Sequence, residues 1–222
     1  MSGECLKNLD RVHRKTILRS RILRCSTALF LEKGFEGTTV REIADSAGIL
    51  NGSLYHMFTN KEGILHGVLE ELMHDLFLWT DSRFSFEERP LERLCAPLCA
   101  LAYMSYHHPP LAGIISIGYK TYTIYSNLVD ILNKWTYHNI CSENRIYPEV
   151  HIVNLYAFAG ALGNIMESFE KEPGMLDLTI TMHFLIRLYF NLCEIPMEGV
   201  DSAIHNVYDV MQKEGLPIPT LT

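Results

Sequence analysis

Polar and aromatic side chains are concentrated in residues 38–65, which read TTVREIADSAGILNGSLYHMFTNKEGIL. Arg, Asn, Ser, Tyr, His and Lys are the side chains that bind base edges and phosphate oxygens of DNA. Common enzyme signatures are missing from the sequence, which contains no GxGxxG or GxxxxGK[ST] nucleotide loop, no HExxH and no GxSxG. The chemistry available in this segment therefore favours nucleic-acid binding over catalysis.

The first half of this segment predicts a capped helix. Thr39 and Glu42 have the spacing of a capping box, in which each residue satisfies a backbone N–H of the other. Ile43, Ala44 and Ala47 then fall on one face, as expected for a helix that packs on its neighbours.

The second half predicts a turn and a short second helix. Gly48 supplies the turn, and either Asn51 or Ser53 caps the helix that follows. Leu54 and Phe58, four residues apart, bury one side of this helix. The other side presents Asn51, Gly52, Ser53, Tyr55 and His56. Such a helix-turn-helix can place its second helix in a DNA groove.

This arrangement resembles the tetracycline-repressor family of bacterial transcription regulators over about residues 16–66. The run LYHMFTNKE, residues 54–62, is the most specific part, and a first helix over 17–33 ends before Gly34-Phe35. The resemblance implies an all-α fold with two domains. Residues 1–65 form a three-helix DNA-binding domain, with the helix-turn-helix at about 39–58, and residues 66–222 form a helical effector-binding and dimerisation domain.

The resemblance also implies a role for each matching residue. Base contacts are implied for Arg41, which suits guanine, and for Asn51, which suits adenine. Phosphate or sugar contacts are implied for Thr39, Ser53, Tyr55, His56 and Lys61. Gly52 lacks a side chain and so allows close approach to a phosphate backbone.

Two residues depart from the family pattern. Leu50 stands where a small polar residue usually binds a phosphate, and Met57 stands where an aromatic residue or His is common. Leu50 either contacts a thymine methyl group or marks a phosphate contact that is absent. Tyr55 and His56 also have a simpler alternative, as ordinary surface residues of a small helical domain.

The distribution of charge supports DNA binding by the N-terminal part. The whole chain has a net charge of −7, yet residues 1–65 hold ten Lys and Arg against seven Asp and Glu, and the remainder holds nine against nineteen. A positive end can meet phosphates while an acidic body points away. The first basic residues, Arg11, Arg14 and Lys15, either reach the adjacent minor groove or backbone or are simply solvated.

Composition excludes several other classes. Six Cys without a paired framework and no signal peptide indicate a cytoplasmic protein with reduced thiols. Cys95 and Cys99 lie four residues apart, so a redox role is open, but no metal ligand set and no cofactor is predicted. Residues 94–119 are uncharged, yet His107-His108-Pro109-Pro110 divides them, which predicts two buried helices and no membrane span.

The remaining sequence predicts helices at about 61–80, 90–107, after 110, and at 119–141, 148–171, 176–193 and 199–213. Aromatic and weakly polar side chains on these helices predict a site for a small apolar or aromatic effector, although each could instead belong to the core. The predicted effector-binding residues are Tyr103, Tyr106, His107, Tyr122, Tyr125, Trp135, His138, Phe158, Met166 and His183.

A homodimer through helices at about 148–171 and 176–193 is the last expectation. The first helix carries small residues on one face, and the second carries an apolar stripe that either matches that face in a partner or is buried within one chain. The small-residue face is Val153, Ala157, Gly160, Ala161 and Asn164, and the stripe is Leu178, Met182, Leu185, Ile186 and Tyr189.

The functional hypothesis is a ligand-responsive regulator of transcription. It is a repressor released from a palindromic operator on double-stranded DNA by its effector. The alternative is a DNA-binding regulator or architectural protein without a small-molecule effector.

Overall fold

A computed structural model describes residues 3–139 and 148–216, with side chains over 12–139 and 150–216. These residues form ten α-helices and contain no β-strand, which confirms the all-α prediction. The helices are α1 (Gly3–Gly37), α2 (Val40–Ser46), α3 (Asn51–Tyr55), α4 (Lys61–Arg83), α5 (Pro90–His107), α6 (Pro109–Lys120), α7 (Tyr122–Asn139), α8 (Pro148–Lys171), α9 (Leu178–Leu192) and α10 (Val200–Glu214).

The described chain forms two compact units that divide between Val68 and Leu69, within α4. The N-terminal unit contains α1, α2, α3 and the first turns of α4. The C-terminal unit contains the rest of α4 and the helices from α5 to α10. This division lies three residues beyond the domain boundary expected at residue 65.

The connection from α1 to α2 is a tight turn held by buried hydrogen bonds. Gly34 interrupts the helical backbone with φ of 75°, a left-handed conformation that favours glycine. The buried hydroxyl of Thr38 donates to the carbonyl oxygens of Gly34 and Leu29, at 2.8 and 3.2 Å. Phe35 is buried beneath the turn and packs on Phe30 at a ring-centroid distance of 5.3 Å.

Lys61, the first residue of α4, closes the same turn. Its ammonium group donates to the carbonyl oxygens of Phe35 and Thr38, at 2.8 and 3.1 Å, and lies 4.3 Å from the centroid of the Phe35 ring. The side chain is only 19% exposed. Lys61 therefore joins the start of α4 to the entrance of α2.

The capping box that begins α2 is confirmed. The Glu42 N–H donates to the Thr39 hydroxyl at 3.2 Å, and the Thr39 N–H donates to the Glu42 carboxylate at 2.8 Å. Ile43, Ala44 and Ala47 are buried, as their common face predicts. Asn60 caps α4, because its side-chain oxygen accepts the Gly63 N–H at 2.8 Å.

In the C-terminal unit, α5 packs against α6, α8, α9 and α10, and α8 packs against α6, α7 and α9. The break between α5 and α6 falls at His108, before Pro109, which confirms the two-helix prediction for the uncharged region. The predicted start of α7 is wrong by three residues. Thr121 has extended backbone angles that end α6, so Tyr119 belongs to α6.

The sequence left two positions open for the apolar stripe of α9, either against a partner chain or within its own chain, and the structure decides between them. Leu178, Met182, Leu185, Ile186 and Tyr189 are all buried within a single chain. The stripe is therefore part of the core and is wrong as a dimer surface. Within the described residues, none of the helices has the length and apolar character that a membrane-spanning segment needs.

Replacing Lys61 by Met should lower the free energy of unfolding of the N-terminal unit by about 2 kcal/mol, because two carbonyl oxygens lose a charged donor. Hydrogen exchange of the amides in α2 and α3 measures this loss. Lys33→Met is the matched control, since Lys33 forms an exposed ion pair with Glu42 at 2.8 Å. Equal effects of the two substitutions would contradict a structural role for Lys61.

Candidate DNA-binding surface and effector pocket

The turn between α2 and α3 orients the short second helix. Gly48 has φ of 64°, and the Ile49 N–H donates to the Ala44 carbonyl at 3.0 Å, which closes the end of α2. Leu54 is buried, so its side of α3 rests on the core of the N-terminal unit. Phe58 is buried as predicted, but it lies three residues beyond Tyr55, where α3 ends. This buried side leaves the opposite side of α3 facing outward.

The predicted cap of α3 is wrong. Leu50 occupies the N-cap position, its side chain makes no capping bond, and Asn51 is the first helical residue. The Leu50 carbonyl instead accepts the N–H groups of Ser53 and Leu54, at 2.9 and 3.3 Å. The side chains of Asn51 and Ser53 are thus not used to begin the helix and stay available to a partner.

Most of the residues expected to contact DNA are exposed, and their contact with DNA stays a prediction. A side-chain carbon added at Gly52 would meet nothing within 4 Å, so the backbone of α3 is open to close approach. Met57 is half-buried. The exposed residues of α2, of α3 and of their flanks include Thr39, Arg41, Leu50, Asn51, Gly52, Ser53, Tyr55 and His56.

The charged groups beside this surface are arranged in pairs. The Lys33 ammonium group, followed by hydrogen bonds from Thr39, lowers the pKa of Glu42 to about 2, so this carboxylate is ionised at neutral pH. The Thr39 hydroxyl also donates to it at 2.9 Å, and must exchange this bond to donate to a phosphate. Arg41 lies 3.9 Å from Asp45 in a highly exposed pair, which solvent weakens and which leaves Arg41 available to DNA.

Lys61 differs from the other predicted contact residues, because two of its ammonium protons are already used. They are donated to the carbonyl oxygens of Phe35 and Thr38, and the Glu36 carboxylate lies 3.8 Å away. The sequence did not predict these two hydrogen bonds, because Lys61 and Phe35 are 26 residues apart and no local pattern relates them. Its contact with phosphate stays a prediction.

A cavity of about 40 Å³ lies in the C-terminal unit and is lined by α4, α5, α6, α7 and α8. The lining is apolar, and among its thirteen residues only Tyr119 carries a polar side-chain group. Burial raises the pKa of the Tyr119 phenol, which therefore stays neutral. The lining residues are Leu69, Leu72, Met73, Leu76, Phe77, Pro97, Leu98, Leu101, Ile115, Tyr119, Leu128, Leu132 and Leu162.

Tyr119 is held tightly against α8. A side-chain carbon at Gly163 would lie 2.8 Å from the Tyr119 Cβ, closer than two such atoms approach, so glycine is needed for this contact. The empty space beside Tyr119 is large enough for only a few water molecules. An aromatic ring or alkyl chain would enter only if leucine side chains of the lining moved.

None of the ten residues predicted to bind an effector is among those that line this cavity. Trp135 lies next to a lining residue without lining the cavity itself, because its ring stacks on Phe77 with centroids 4.8 Å apart. Phe158 and Met166 are fully buried in the core. The lining leucines had no distinguishing signal in the sequence, since a leucine beside a cavity has the same pattern as a core leucine.

Three of the predicted residues form a ring cluster at the C-terminal end of α5. The ring centroids of Tyr103 and His107 are 4.4 Å apart, and Tyr106 meets Phe169 edge-on at 5.5 Å. Gln212 donates to the Tyr103 hydroxyl at 3.0 Å. The polar group of Tyr103 is therefore engaged within the chain.

The other four lie on outer parts of the C-terminal unit. Tyr122 and His138 are exposed. Tyr125 donates its hydroxyl to a backbone carbonyl at 2.6 Å, and His183 Nδ1 lies 3.0 Å from the Asp201 carboxylate. The effector role of all ten residues stays a prediction. The residues that line the cavity are a different set.

Cys95 and Cys99 are buried free cysteines of α5. Burial raises the pKa of Cys95 well above its usual value and that of Cys99 to about 12, so both thiols stay protonated and weakly nucleophilic. No group of three or more His, Cys, Asp or Glu side chains suited to a metal ion occurs in the described parts of the chain.

Comparisons with known proteins identify the N-terminal unit. The profile of the family described as bacterial regulatory proteins, tetR family, matches residues 22–68. The chain is 49% identical over 59 residues to the HTH-type transcriptional repressor KstR2 of Rhodococcus jostii (strain RHA1), covering 27% of this chain and 29% of that protein. It is 40% identical over 90 residues to KstR2 of Mycobacterium tuberculosis (strain ATCC 25618 / H37Rv), covering 40% of this chain and 45% of that protein. The chain therefore matches less than half the length of these curated relatives.

Solved structures extend the likeness of fold to both units. RolR in complex with resorcinol superposes with a TM-score of 0.63 at 16% identity, covering 93% of this chain and 98% of that chain. FadR of Bacillus subtilis in complex with stearoyl-CoA superposes with a TM-score of 0.53 at 17% identity, covering 77% and 96%. The helix-turn-helix of the N-terminal unit therefore matches the tetR family of bacterial regulatory proteins, and the described helices share the all-helical fold of these solved structures.

Proposed function

We propose that this protein is a transcriptional repressor that binds a palindromic DNA operator as a homodimer and is released by a small apolar or aromatic effector. The observation that carries the proposal is the outward side of α3, where Asn51, Ser53, Tyr55 and His56 are exposed on a helix whose inner side is buried. A recognition helix needs this division between a packed side and a polar side.

The charges of the two parts support DNA binding at the N-terminal end. Residues 1–65 have a net charge of +3, and residues 66–222 have a net charge of −10. Attraction to phosphate is thereby confined to the N-terminal unit, while the acidic remainder is repelled by DNA. Such a regulator acts on chromosomal DNA, so we place it in the cytoplasm.

An uncovered apolar surface on α8 and α9 supports the homodimer. Val153 on α8 is 65% exposed, and Gly160, seven residues further along α8, has open space beside its backbone. Ile180 and Phe184 lie four residues apart on α9 and are 71% and 53% exposed. These side chains replace the buried stripe that the sequence suggested for α9. A two-fold dimer through them would present two recognition helices to two half-sites.

The apolar cavity supports an effector that is bound mainly by burial of its surface. The ligands named with two solved structures of this fold, resorcinol and stearoyl-CoA, each contain an apolar portion. We extend that class to this chain. Leu69, Leu72 and Leu76 of the lining belong to α4, which begins at Lys61 beside the entrance of α2. An effector that moves these leucines acts on a helix shared with the DNA-binding unit.

The small size of the cavity favours a second candidate function, a DNA-binding regulator without an effector. The two functions differ in one thermodynamic respect. A ligand changes DNA affinity only through its different affinities for the two states of the protein, and it must also stabilise the state that it binds.

The first experiment is DNA affinity, measured by fluorescence anisotropy near physiological salt. DNA upstream of the protein's own gene should bind at least about a thousandfold more tightly than scrambled DNA of equal length. Asn51→Ala should weaken operator binding by roughly tenfold to a hundredfold, because a base contact is lost, and should leave scrambled DNA nearly unaffected. Asn133→Ala on α7 is the control. Weak, equal and steeply salt-dependent binding to both DNAs would overturn sequence-specific regulation.

The dimer is tested by introducing charge into the uncovered surface. Phe184→Glu combined with Val153→Asp should convert a dimer to a monomer at micromolar concentration, because buried unpaired carboxylates oppose association. Light scattering coupled to size-exclusion chromatography measures the mass. Leu78→Glu, at an exposed leucine of α4, should leave the dimer intact. A monomeric parent protein, or a dimer that persists in the double variant, would contradict the proposal.

The effector is tested by thermal unfolding with a panel of phenols and acyl thioesters. A ligand at a hundred times its Kd should stabilise the protein by about 2.7 kcal/mol and should also lower operator affinity. Leu72→Trp fills the cavity and should abolish both effects while retaining operator binding. Leu78→Trp, on the same helix but not in the lining, is the control. Stabilisation without a change in operator affinity would exclude that ligand as the effector.

A further inference from the structure

Leu50 is a large apolar side chain that no contact within the chain explains. It is 80% exposed, whereas Leu54 and Phe58 of the same segment are buried. It occupies the N-cap of α3 and makes no side-chain capping bond there. Leucine is among the poorest residues at this position, where Ser, Asn or Asp would satisfy a backbone N–H. Leu50 thus contributes neither to the core nor to the start of the helix.

The backbone nevertheless fixes the position of this side chain. The Leu50 carbonyl accepts hydrogen bonds from the N–H groups of Ser53 and Leu54, at 2.9 and 3.3 Å, so Leu50 is part of the first turn of α3. Asn51, Gly52 and Ser53, which follow it, are exposed. In a helix-turn-helix, the N-terminal residues of the second helix are those that contact base edges.

The major groove offers one apolar group to such a side chain. Guanine, cytosine and adenine present hydrogen-bond donors and acceptors, and thymine adds its C5-methyl group. A phosphate would gain nothing from leucine, because the side chain has no hydrogen-bond donor. An exposed leucine in the first turn of the recognition helix is therefore suited to a thymine methyl group.

We propose that Leu50 selects a thymine in each half of the operator through contact with its C5-methyl group. This inference rests on the proposed function, since it specifies one base read by the same surface. Leu50 is then a specificity residue, and its poor capping is retained because it is used on DNA. The affinity gained should be about fourfold per half-site, which corresponds to burial of one methyl group, about 0.8 kcal/mol.

The test replaces thymine by deoxyuridine, one position at a time, in an operator selected by the parent protein from genomic fragments. Deoxyuridine keeps every hydrogen-bonding group of thymine and lacks only the C5-methyl. The parent protein should lose about fourfold in affinity at one thymine position of each half-site. Leu50→Ala removes the contact from both half-sites of the dimer, so it should lose roughly sixteenfold on the thymine operator and should show no further loss on any uridine operator.

Two further variants make the result specific to Leu50. Leu50→Ser supplies a capping hydroxyl, so it should bind both operators equally while its α3 amides exchange more slowly with solvent. Leu78→Ala removes an exposed leucine of α4 and should respond to deoxyuridine as the parent protein does. The slower exchange also shows that any loss of affinity in Leu50→Ser does not come from unfolding of α3.

The outcomes separate this inference from the proposed function. If the parent protein selects an operator but is insensitive to deoxyuridine at every thymine, Leu50 does not read a methyl group. The inference also fails if Leu50→Ala retains the full loss with deoxyuridine. If Leu50→Ser instead binds every operator more tightly than the parent protein, Leu50 marks a missing phosphate contact. If the parent protein prefers no sequence at all, the proposed function fails together with the inference.

Discussion

The charged hydrogen bonds of Lys61 are the interaction on which the DNA-binding unit depends. The ammonium group joins the first turn of α4 to the carbonyl oxygens of Phe35 and Thr38, where the chain turns from α1 into α2. Helices as short as α2 and α3 would not be stable alone and gain their stability from packing. Their orientation is therefore inherited from this turn. If Lys61 also contacts a phosphate, DNA binding would act directly on the turn between α1 and α2.

The C-terminal unit follows a different constraint, which is the apolar character of its interior. Tyr119 supplies the single polar side-chain group of the cavity lining, so a ligand there gains affinity mainly from surface removed from water. The free energy gained by burying apolar surface depends little on how the ligand is oriented. Selectivity among ligands would then depend on the shape of the ligand, since leucine side chains form no hydrogen bonds that distinguish one arrangement of polar groups from another. The contact of Tyr119 with Gly163 limits how the wall can adapt.

The features that could be predicted from the sequence are those set by neighbouring residues. The capping box of Thr39 and Glu42, the buried pair Leu54 and Phe58, and the break before Pro109 all depend on short spacing, and all are confirmed. The cavity could not be predicted, because the residues expected to line it pack on one another, lie in the core or are exposed. A void is a property of several helices together, and no single helix carries a pattern for it.

Two errors show where local rules stop. Asn51 or Ser53 was expected to cap α3, because polar residues are the usual caps, yet the helix begins at Asn51 and leaves Leu50 at the cap. The apolar stripe of α9 is expected to form a dimer surface, with burial in its own chain as the alternative, and it is buried in its own chain. The two cases have the same sequence pattern. In both places the local pattern of the sequence leaves more than one arrangement open.

These observations bear on how an effector could act on DNA binding. Leu69, Leu72 and Leu76 line the cavity on α4, and Lys61 begins the same helix. The cavity has room for only a few water molecules, so a larger effector would displace side chains of the lining, which includes these leucines of α4. The free energy available for release from DNA is then the difference between the effector's affinities for the displaced and undisplaced states of that helix.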